Sequence, residues 1–233
     1  MTVEEEAGGV YAKYKVKKAL YEGAKPHPAN ISESVVMASI EPPDVTYKLH
    51  LPKKFIESGV VSEVQLEAIT YAAQAHEQRL LDGRRKEFLL GDGTGMGKAR
   101  TIIGLIYENW IQGRKRHVWV SVNKDLMEQA ARDIKAMGLD IPIFLQSDYK
   151  DSDKIDQKEG ILFTTYSTGS MGIDKEAKRY KQIEDWFGKD GEGVFVYDES
   201  HKMKNADENR WGSQGGGEGG GGGGGKTATQ LAA

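Results

Sequence analysis

From Ser62 onward, short apolar runs alternate with segments that carry apolar residues at helical spacing. The first such segment, residues 62–80, begins at a favourable helix N-cap and places Leu66 and Ile69 on one face. The strands and helices predicted after it are, in turn, 88–90 and 101–110, 117–122 and 125–137, 161–166 and 175–187, and finally 194–197. Strands that alternate with helices of this length indicate right-handed βαβ units. The pattern therefore predicts an α/β fold, a mostly parallel sheet with helices on both faces, whose ligands bind beyond the carboxyl ends of the strands.

The two ends of the chain lack this alternation. Residues 1–60 hold five of the six prolines and little sustained periodicity, so we predict an extended N-terminal arm ahead of a domain at 61–211. Residues 212–225 are mostly glycine and predict a flexible linker, with a glycine-rich lid over a ligand as the alternative. Residues 226–233 are predicted to be the start of a helix cut short, and we expect the sequence to be a fragment or a gene model that stops early.

Composition sets limits on function. Hydrophobic residues make up 38% of the chain, enough for a core, and a net charge of −3 means that any contact with nucleic acid must be local. The absence of cysteine excludes disulfides, thiolate metal sites and cysteine nucleophiles. The acidic start has no apolar segment of the kind that signal peptides and membrane helices need, so we expect a soluble intracellular protein.

Residues 88–98 pass from an apolar strand through a glycine-dense turn into a helix, which is the context of a phosphate loop. Glycines let several backbone N–H groups converge on one anion, the helix dipole favours the same anion, and Lys98 adds a full positive charge. The alternative is a plain strand-to-helix turn with a solvated lysine. The predicted nucleotide-binding residues of this segment are Gly93, Thr94, Gly95, Met96, Gly97, Lys98 and Ala99.

The loop departs from the strict phosphate-loop pattern at two positions. Asp92 stands at the place of the first glycine, and Ala99 stands where a Ser or Thr would bind magnesium. Thr101 is the nearest hydroxyl that could take the role of metal ligand.

Residues 194–201 form an apolar strand that ends in two adjacent carboxylates. At a strand end both can approach one site. We predict that Asp198 holds Mg²⁺, that Glu199 is the general base for the attacking water, and that His201 couples the nucleotide site to a second motor domain. An acidic cap between strand and loop is the alternative, which the phosphate loop upstream disfavours.

Polar residues at the ends of two other predicted strands suggest contact with a nucleic-acid backbone. These are Ser121 and Asn123 after one strand and Thr164, Thr165, Tyr166 and Ser167 after the next. Ordinary strand-end polarity explains them almost as well. The basic clusters at 84–86 and 114–117 are more simply solvated loop faces than sites that bind nucleic acid.

Several stretches resemble the strawberry notch family, whose members are superfamily 2, DExH-type helicase-like ATPases. They are residues 61–76, the phosphate loop and its helix at 91–104, residues 107–109, 160–167 and 198–205, and, upstream, 27–28 and 39–44. The resemblance covers most of residues 25–211, and Gly-Lys-x-Arg-Thr is a family form of the phosphate loop. The chain departs from the family at Ser200, where cysteine is usual, and in the glycine tract.

The resemblance implies a RecA-like P-loop NTPase domain that binds ATP and Mg²⁺. It also implies that hydrolysis needs a second motor domain and its arginine finger, which is worth orders of magnitude in related phosphate chemistry. By the same resemblance, Gln65 contacts the adenine edge. Ser62 and Gln65 also have capping-box spacing, so closure of the helix start is an equal alternative for Gln65.

The expected function is therefore an ATP-binding, helicase-like ATPase domain that takes part in nucleic-acid or chromatin remodelling and transcription regulation. Expected partners are nucleic acid, DNA before RNA, and transcription or chromatin proteins, with no membrane. The expected location is the nucleus, or the cytoplasm for a bacterial or phage member. A catalytically incomplete interaction module that acts as a transcriptional co-regulator is one alternative. Another P-loop NTPase, a GTPase or a kinase, is a second, weakened by Ala99.

Overall fold

The computed structural model describes residues 5–6, 9–91, 96–151, 153–166, 173–189, 191–199 and 228–232. Four predicted site residues, Gly93, Thr94, Gly95 and His201, lie outside this part of the chain, as does the predicted linker at 212–225. Among the helices it contains, none combines the length and apolar character needed to cross a membrane.

The chain order of the elements is as follows. They are β1 (Glu5–Glu6), β2 (Gly9–Lys13), β3 (Ser32–Ser34), α1 (Val35–Ala38), α2 (Lys53–Ser58), α3 (Glu63–His76), β4 (Phe88–Leu89), α4 (Lys98–Trp110), β5 (Arg116–Ser121), α5 (Asp125–Ala136), β6 (Ile143–Leu145), a 3-10 turn (Gln146–Asp148), β7 (Gly160–Thr165), α6 (Ile173–Phe187), β8 (Gly193–Tyr197) and β9 (Ala228–Ala232).

The main sheet has six strands in the order β4-β9-β8-β5-β7-β6, and every pair is parallel. Side chains of β5 alternate between its faces, as strand geometry requires. Val118 and Val120 pack with Trp186 and Phe187 of α6, whereas Trp119 packs into the larger core shared with α3, α4 and α5. Helices therefore cover both faces, and the predicted α/β fold is confirmed.

The helices begin where the local chemistry favours them. Ser62 and Gln65 form a complete capping box at the start of α3. Asp125 and Glu128 place negative charge in the first turn of α5, where the helix dipole is favourable. The predicted helices at 62–80, 101–110, 125–137 and 175–187 correspond to α3, α4, α5 and α6.

The N-terminal arm is more than an extended segment. It contains a small antiparallel sheet in the order β1-β2-β3 and two short helices, and it contributes Leu51, Phe55 and Ile56 to the main core. Periodicity did not reveal α2 because six residues span less than two helical turns.

The prediction of a helix start at 226–233 is wrong for the described residues, since 228–232 form strand β9. This strand lies between β4 and β8 and pairs with both, so its backbone groups face partners on either side. Local helix propensity is a weak preference that such pairing overrides.

Candidate functional site

The phosphate-loop segment connects β4 to α4. Gly91 follows the strand, and Lys98 is the first residue of the helix. Gly97 caps this helix in the left-handed region, with φ of 67°. The conformation favours glycine, and a Cβ atom at Gly97 would lie 2.7 Å from Gln65 Nε2, so the Gln65 carboxamide would have to move.

The fold brings the two predicted motifs together. Lys98 Nζ lies 4.0 Å from Glu199 Oε1, and both side chains are partly exposed. Lys98 is at the N-terminus of α4, whose dipole favours anions, and Glu199 follows the carboxyl end of β8. A cation, a helix N-terminus and a carboxylate pair therefore meet at one edge of the sheet, which is where parallel sheets bind ligands.

Asp198 is held by three hydrogen bonds. Its N–H donates to the Val120 carbonyl at 2.9 Å, Ser121 Oγ donates to Asp198 Oδ2 at 3.0 Å, and the Tyr166 hydroxyl donates to the Asp198 carbonyl at 2.8 Å. Glu199 follows with φ of 56°, a left-handed conformation that is uncommon for a residue other than glycine. Such conformations cluster at functional sites.

Burial, and then the negative charge of Asp198, raise the pKa of the Tyr166 hydroxyl well above its ordinary value. The hydroxyl therefore keeps its proton at neutral pH and acts as a donor to the Asp198 carbonyl.

Gln65 has the capping geometry that was one of its two predicted roles. Its Oε1 accepts from the N–H of Ser62 at 2.9 Å, while its Nε2 donates to the carbonyls of Met96 and Gly97 at 3.0 and 3.2 Å. Both ends of the carboxamide are thus engaged, and they tie the start of α3 to the end of the phosphate loop. The predicted adenine contact stays a prediction.

The residues present fit a magnesium ion. The Asp198 carboxylate, whose Oδ2 accepts from Ser121, offers oxygen ligands, and Mg²⁺ typically takes one or two carboxylates together with substrate phosphates. Thr101 Oγ1 is buried and has no hydrogen-bond partner in the described part of the chain. It stays a candidate ligand, whereas Ala99 offers no oxygen from its side chain.

Three of the strand-end hydroxyls predicted to contact nucleic acid are turned away from solvent, and a fourth, Ser167, lies outside the described residues. Ser121, Thr164 and Thr165 are all buried, and Thr164 Oγ1 donates to Gln146 Oε1 at 2.8 Å. Asn123 accepts from the N–H of Leu126 within its own turn. The sequence shows polarity at a strand end, but the direction of each side chain depends on which strand lies next to it.

The basic clusters are also engaged locally. Arg84 pairs with Asp82, Arg85 with Glu192, and Arg116 donates to the carbonyl of Trp186 at 2.8 Å. The cluster at 84–86 agrees with the expectation of a loop face, whereas Arg116 and His117 of the second cluster belong to strand β5, where His117 is fully buried.

A groove of about 890 Å³ opens beside the phosphate loop and was not predicted from the sequence. The arm forms one wall with Tyr14 and Pro43, and α3 forms another with Val64 and Ala68. Its remaining wall follows β4 as far as Gly91, and Met96 also lines it. The sequence carried no signal for this groove because the arm that walls it has no sustained periodicity.

The fold and the paired motifs define a P-loop NTPase domain. In agreement, the family model described as P-loop containing NTP hydrolase pore-1 matches residues 26–222.

The chain belongs to the strawberry notch family. It is 44% identical over 191 residues to Protein strawberry notch of Drosophila melanogaster, covering 78% of this chain and 12% of that protein. It is 43% identical over 208 residues to human Protein strawberry notch homolog 2, covering 87% and 15%, and 38% identical over 185 residues to Protein FORGETTER 1 of Arabidopsis thaliana, covering 77% and 14%. The chain therefore spans about an eighth to a seventh of the length of these relatives. The family predicted from the sequence is confirmed.

Proposed function

We propose that this domain binds ATP together with Mg²⁺ and serves a helicase-like ATPase. The proposal depends most on one observation, the 4.0 Å approach of Lys98 Nζ to Glu199 Oε1 beside Asp198. Lys98 would contact the β and γ phosphates, with the backbone N–H groups of the loop completing the anion site.

Asp198 would hold the metal ion, with Thr101 as a second candidate ligand. Bound Mg²⁺ would neutralise charge that develops on the phosphates. Glu199 would accept a proton from the attacking water, and its partial exposure leaves room for that water. The terminal phosphate would bind at Lys98, and the 4.0 Å contact between Lys98 and Glu199 would open to admit it.

The base and ribose would occupy the groove beside Met96 and Val64. Concave, mostly apolar clefts of this size are typical of small-ligand sites. The main role of Gln65 would be to fix the loop, since its Nε2 group donates to the carbonyls of Met96 and Gly97. To contact adenine, the Gln65 carboxamide would have to give up one of its present hydrogen bonds.

In a longer protein we propose that ATP turnover drives remodelling of nucleic acid or chromatin, in the nucleus and in transcription regulation, with DNA and transcription or chromatin proteins as partners. Membership of the strawberry notch family supports this proposal. Because Ser121 and Thr164 are buried, we expect any contact with nucleic acid to come from other residues.

Substitution of Lys98 tests the nucleotide site. Lys98→Ala removes the positive charge aimed at the phosphates, so calorimetry with ATP and Mg²⁺ should show an affinity at least about fivefold weaker than that of the unsubstituted chain. Lys181→Ala is the matched control, because Lys181 is an exposed lysine whose ion pair is with Asp185 on its own helix. Equal affinity of Lys98→Ala and the unsubstituted chain would overturn the assignment.

A further inference from the structure

The residue after Lys98 is Ala99, so the phosphate loop supplies no hydroxyl at the position where other phosphate loops place one. A hydroxyl nevertheless reaches the metal-side carboxylate. Ser121 Oγ donates to Asp198 Oδ2 at 3.0 Å, and Ser121 is fully buried. Its position follows from the sheet order, because β5 is the neighbour of β8 and the register pairs Val120 with Tyr197. Ser121 directly follows Val120, and Asp198 directly follows Tyr197, so these two residues lie side by side.

A second hydroxyl fixes the backbone of the same residue. Tyr166 directly follows β7, on the far side of β5 from β8, and its hydroxyl donates to the Asp198 carbonyl at 2.8 Å. The N–H of Asp198 is bound to the Val120 carbonyl at 2.9 Å. The N–H, the carbonyl and the carboxylate of Asp198 are thus all held by residues from two other strand ends. The turn so fixed is the one in which Glu199 adopts φ of 56°.

We propose that Ser121 and Tyr166 are positioning residues of the nucleotide site: Ser121 orients the Asp198 carboxylate for Mg²⁺, and Tyr166 fixes the turn from which Glu199 projects. The hydrogen bond from Ser121 to Oδ2 fixes the plane of the carboxylate and so the direction in which Oδ1 faces. Outer hydrogen bonds of this kind set the orientation of ligating carboxylates and are worth 10- to 100-fold in metal affinity. The inference rests on the proposed function, since it assigns roles around the same Mg-ATP site.

The test is to measure ATP binding to the whole chain by calorimetry at a series of Mg²⁺ concentrations. In Ser121→Ala, the Mg²⁺ concentration that gives half-maximal ATP binding should rise about tenfold, whereas ATP affinity in EDTA should stay within about twofold, because the substitution leaves Lys98 in place. Tyr166→Phe should raise the same Mg²⁺ concentration by about threefold, the effect of one neutral hydrogen bond. Ser121→Cys, whose thiol is a weak donor, should also raise this Mg²⁺ concentration. Ser121→Thr keeps a hydroxyl and should show the Mg²⁺ dependence of the unsubstituted chain.

A double-mutant cycle separates positioning from general destabilisation. If Ser121 acts through Asp198, Ser121→Ala should add no further loss to Asp198→Asn. Thr164→Val is the matched control, since it removes a buried strand-end hydroxyl whose partner is Gln146, and its Mg²⁺ dependence should equal that of the unsubstituted chain.

Two results would overturn the proposal: Mg²⁺ dependence unchanged in both Ser121→Ala and Ser121→Cys, or fully additive losses from Ser121→Ala and Asp198→Asn. In either case ATP binding by the unsubstituted chain would leave the proposed function standing. If the unsubstituted chain itself binds no Mg-ATP, the proposed function and the inference that rests on it both fail.

Discussion

Gln65 and Gly97 form a close contact that joins the start of α3 to the phosphate loop. The Nε2 group of Gln65 donates to the carbonyls of Met96 and Gly97, and it would have to move to admit a side chain on Gly97. Gly97 also has a positive φ, which costs an L-residue about 1–2 kcal/mol. The shape of the loop end therefore depends on both residues.

Gly97→Ala should weaken Mg-ATP binding by at least about fivefold, because the added methyl group displaces either Gln65 or the loop that binds the phosphates. Gly113→Ala is the matched control. Gly113 has φ of 86°, but no atom lies within 4 Å of its added Cβ. Calorimetry should show unchanged affinity for Gly113→Ala, with only a loss of stability. Similar affinities for the two variants would mean that the contact with Gln65 does not shape the site.

Glu199 and Lys98 attract each other without ligand, so removal of the carboxylate should not weaken phosphate binding. Glu199→Gln is expected to bind Mg-ATP within about twofold of the unsubstituted chain or more tightly, while any ATP turnover falls by about 10²–10⁴-fold, the usual share of a general base. Calorimetry and a phosphate-release assay measure the two effects. If ATP turnover is unchanged in Glu199→Gln, Glu199 is not the general base.

The placement of the candidate site residues was predictable to the extent that it depends on sequence order. Lys98 begins the helix after β4, Asp198 and Glu199 directly follow β8, and the fold brings Lys98 to Glu199 as expected. The contacts of Ser121 and Tyr166 with Asp198 were not predictable, because they depend on the order β8-β5-β7 in the sheet. Strand order is a tertiary property that residue patterns do not specify.

At the scale of elements, the arm is attached to α4 through Glu108. This fully buried carboxylate accepts hydrogen bonds from the Tyr47 hydroxyl at 2.7 Å, from the N–H of His50 at 2.9 Å and from the N–H of Leu51 at 2.9 Å. His50 Nδ1 also lies 2.7 Å from Glu108 Oε1. Because α4 begins at Lys98, the arm is fixed to the same helix that carries the phosphate-binding lysine.

Glu108→Gln should lower the free energy of unfolding by roughly 3 kcal/mol, because an amide cannot accept all of these hydrogen bonds and leaves buried donors without partners. Glu128→Gln is the control, since Glu128 is exposed and pairs only across one turn with Arg132. That change should stay within about 0.5 kcal/mol. Urea unfolding monitored by tryptophan fluorescence measures both. Equal small effects would show that the hydrogen bonds of Glu108 do not hold the arm in place.

The long elements were predictable, and the short ones were not. Apolar periodicity located α3 to α6 and the strands β5, β7 and β8, since each packs against a neighbour along one face or both, whereas the two-residue β4 was located by its place before the glycine-dense turn. The three-residue strand β6 and the six-residue helix α2 are too short to show a period. Strand β9 was predicted wrongly because its conformation comes from pairing with β4 and β8.

At the scale of the whole molecule, the two cores on either face of the sheet meet at β5. His117 lies on this strand, fully buried, with Nδ1 accepting from the N–H of Val194 on β8 at 3.1 Å. Its ring stacks on Trp110 of α4 with centroids 6.2 Å apart. One neutral imidazole therefore links two strands and a helix in the interior, a place where charge is costly.

Stability should consequently fall as the pH falls. Burial lowers the pKa of His117 from 6.5 to about 3. Above pH 6.5 neither the folded nor the unfolded chain protonates this residue, so its full contribution is present. Between pH 6.5 and pH 3 the unfolded chain binds a proton that the folded chain does not, and stability decreases by up to about 1.4 kcal/mol per pH unit.

His117→Gln should remove this share of the slope, in urea unfolding measured from pH 7.5 to pH 4.5. Ile161→Val, a buried change on the neighbouring strand β7, should instead lower stability by about 1 kcal/mol at every pH and keep the slope. If His117→Gln and the unsubstituted chain lose stability in parallel down to pH 4.5, the acid sensitivity must come from other groups.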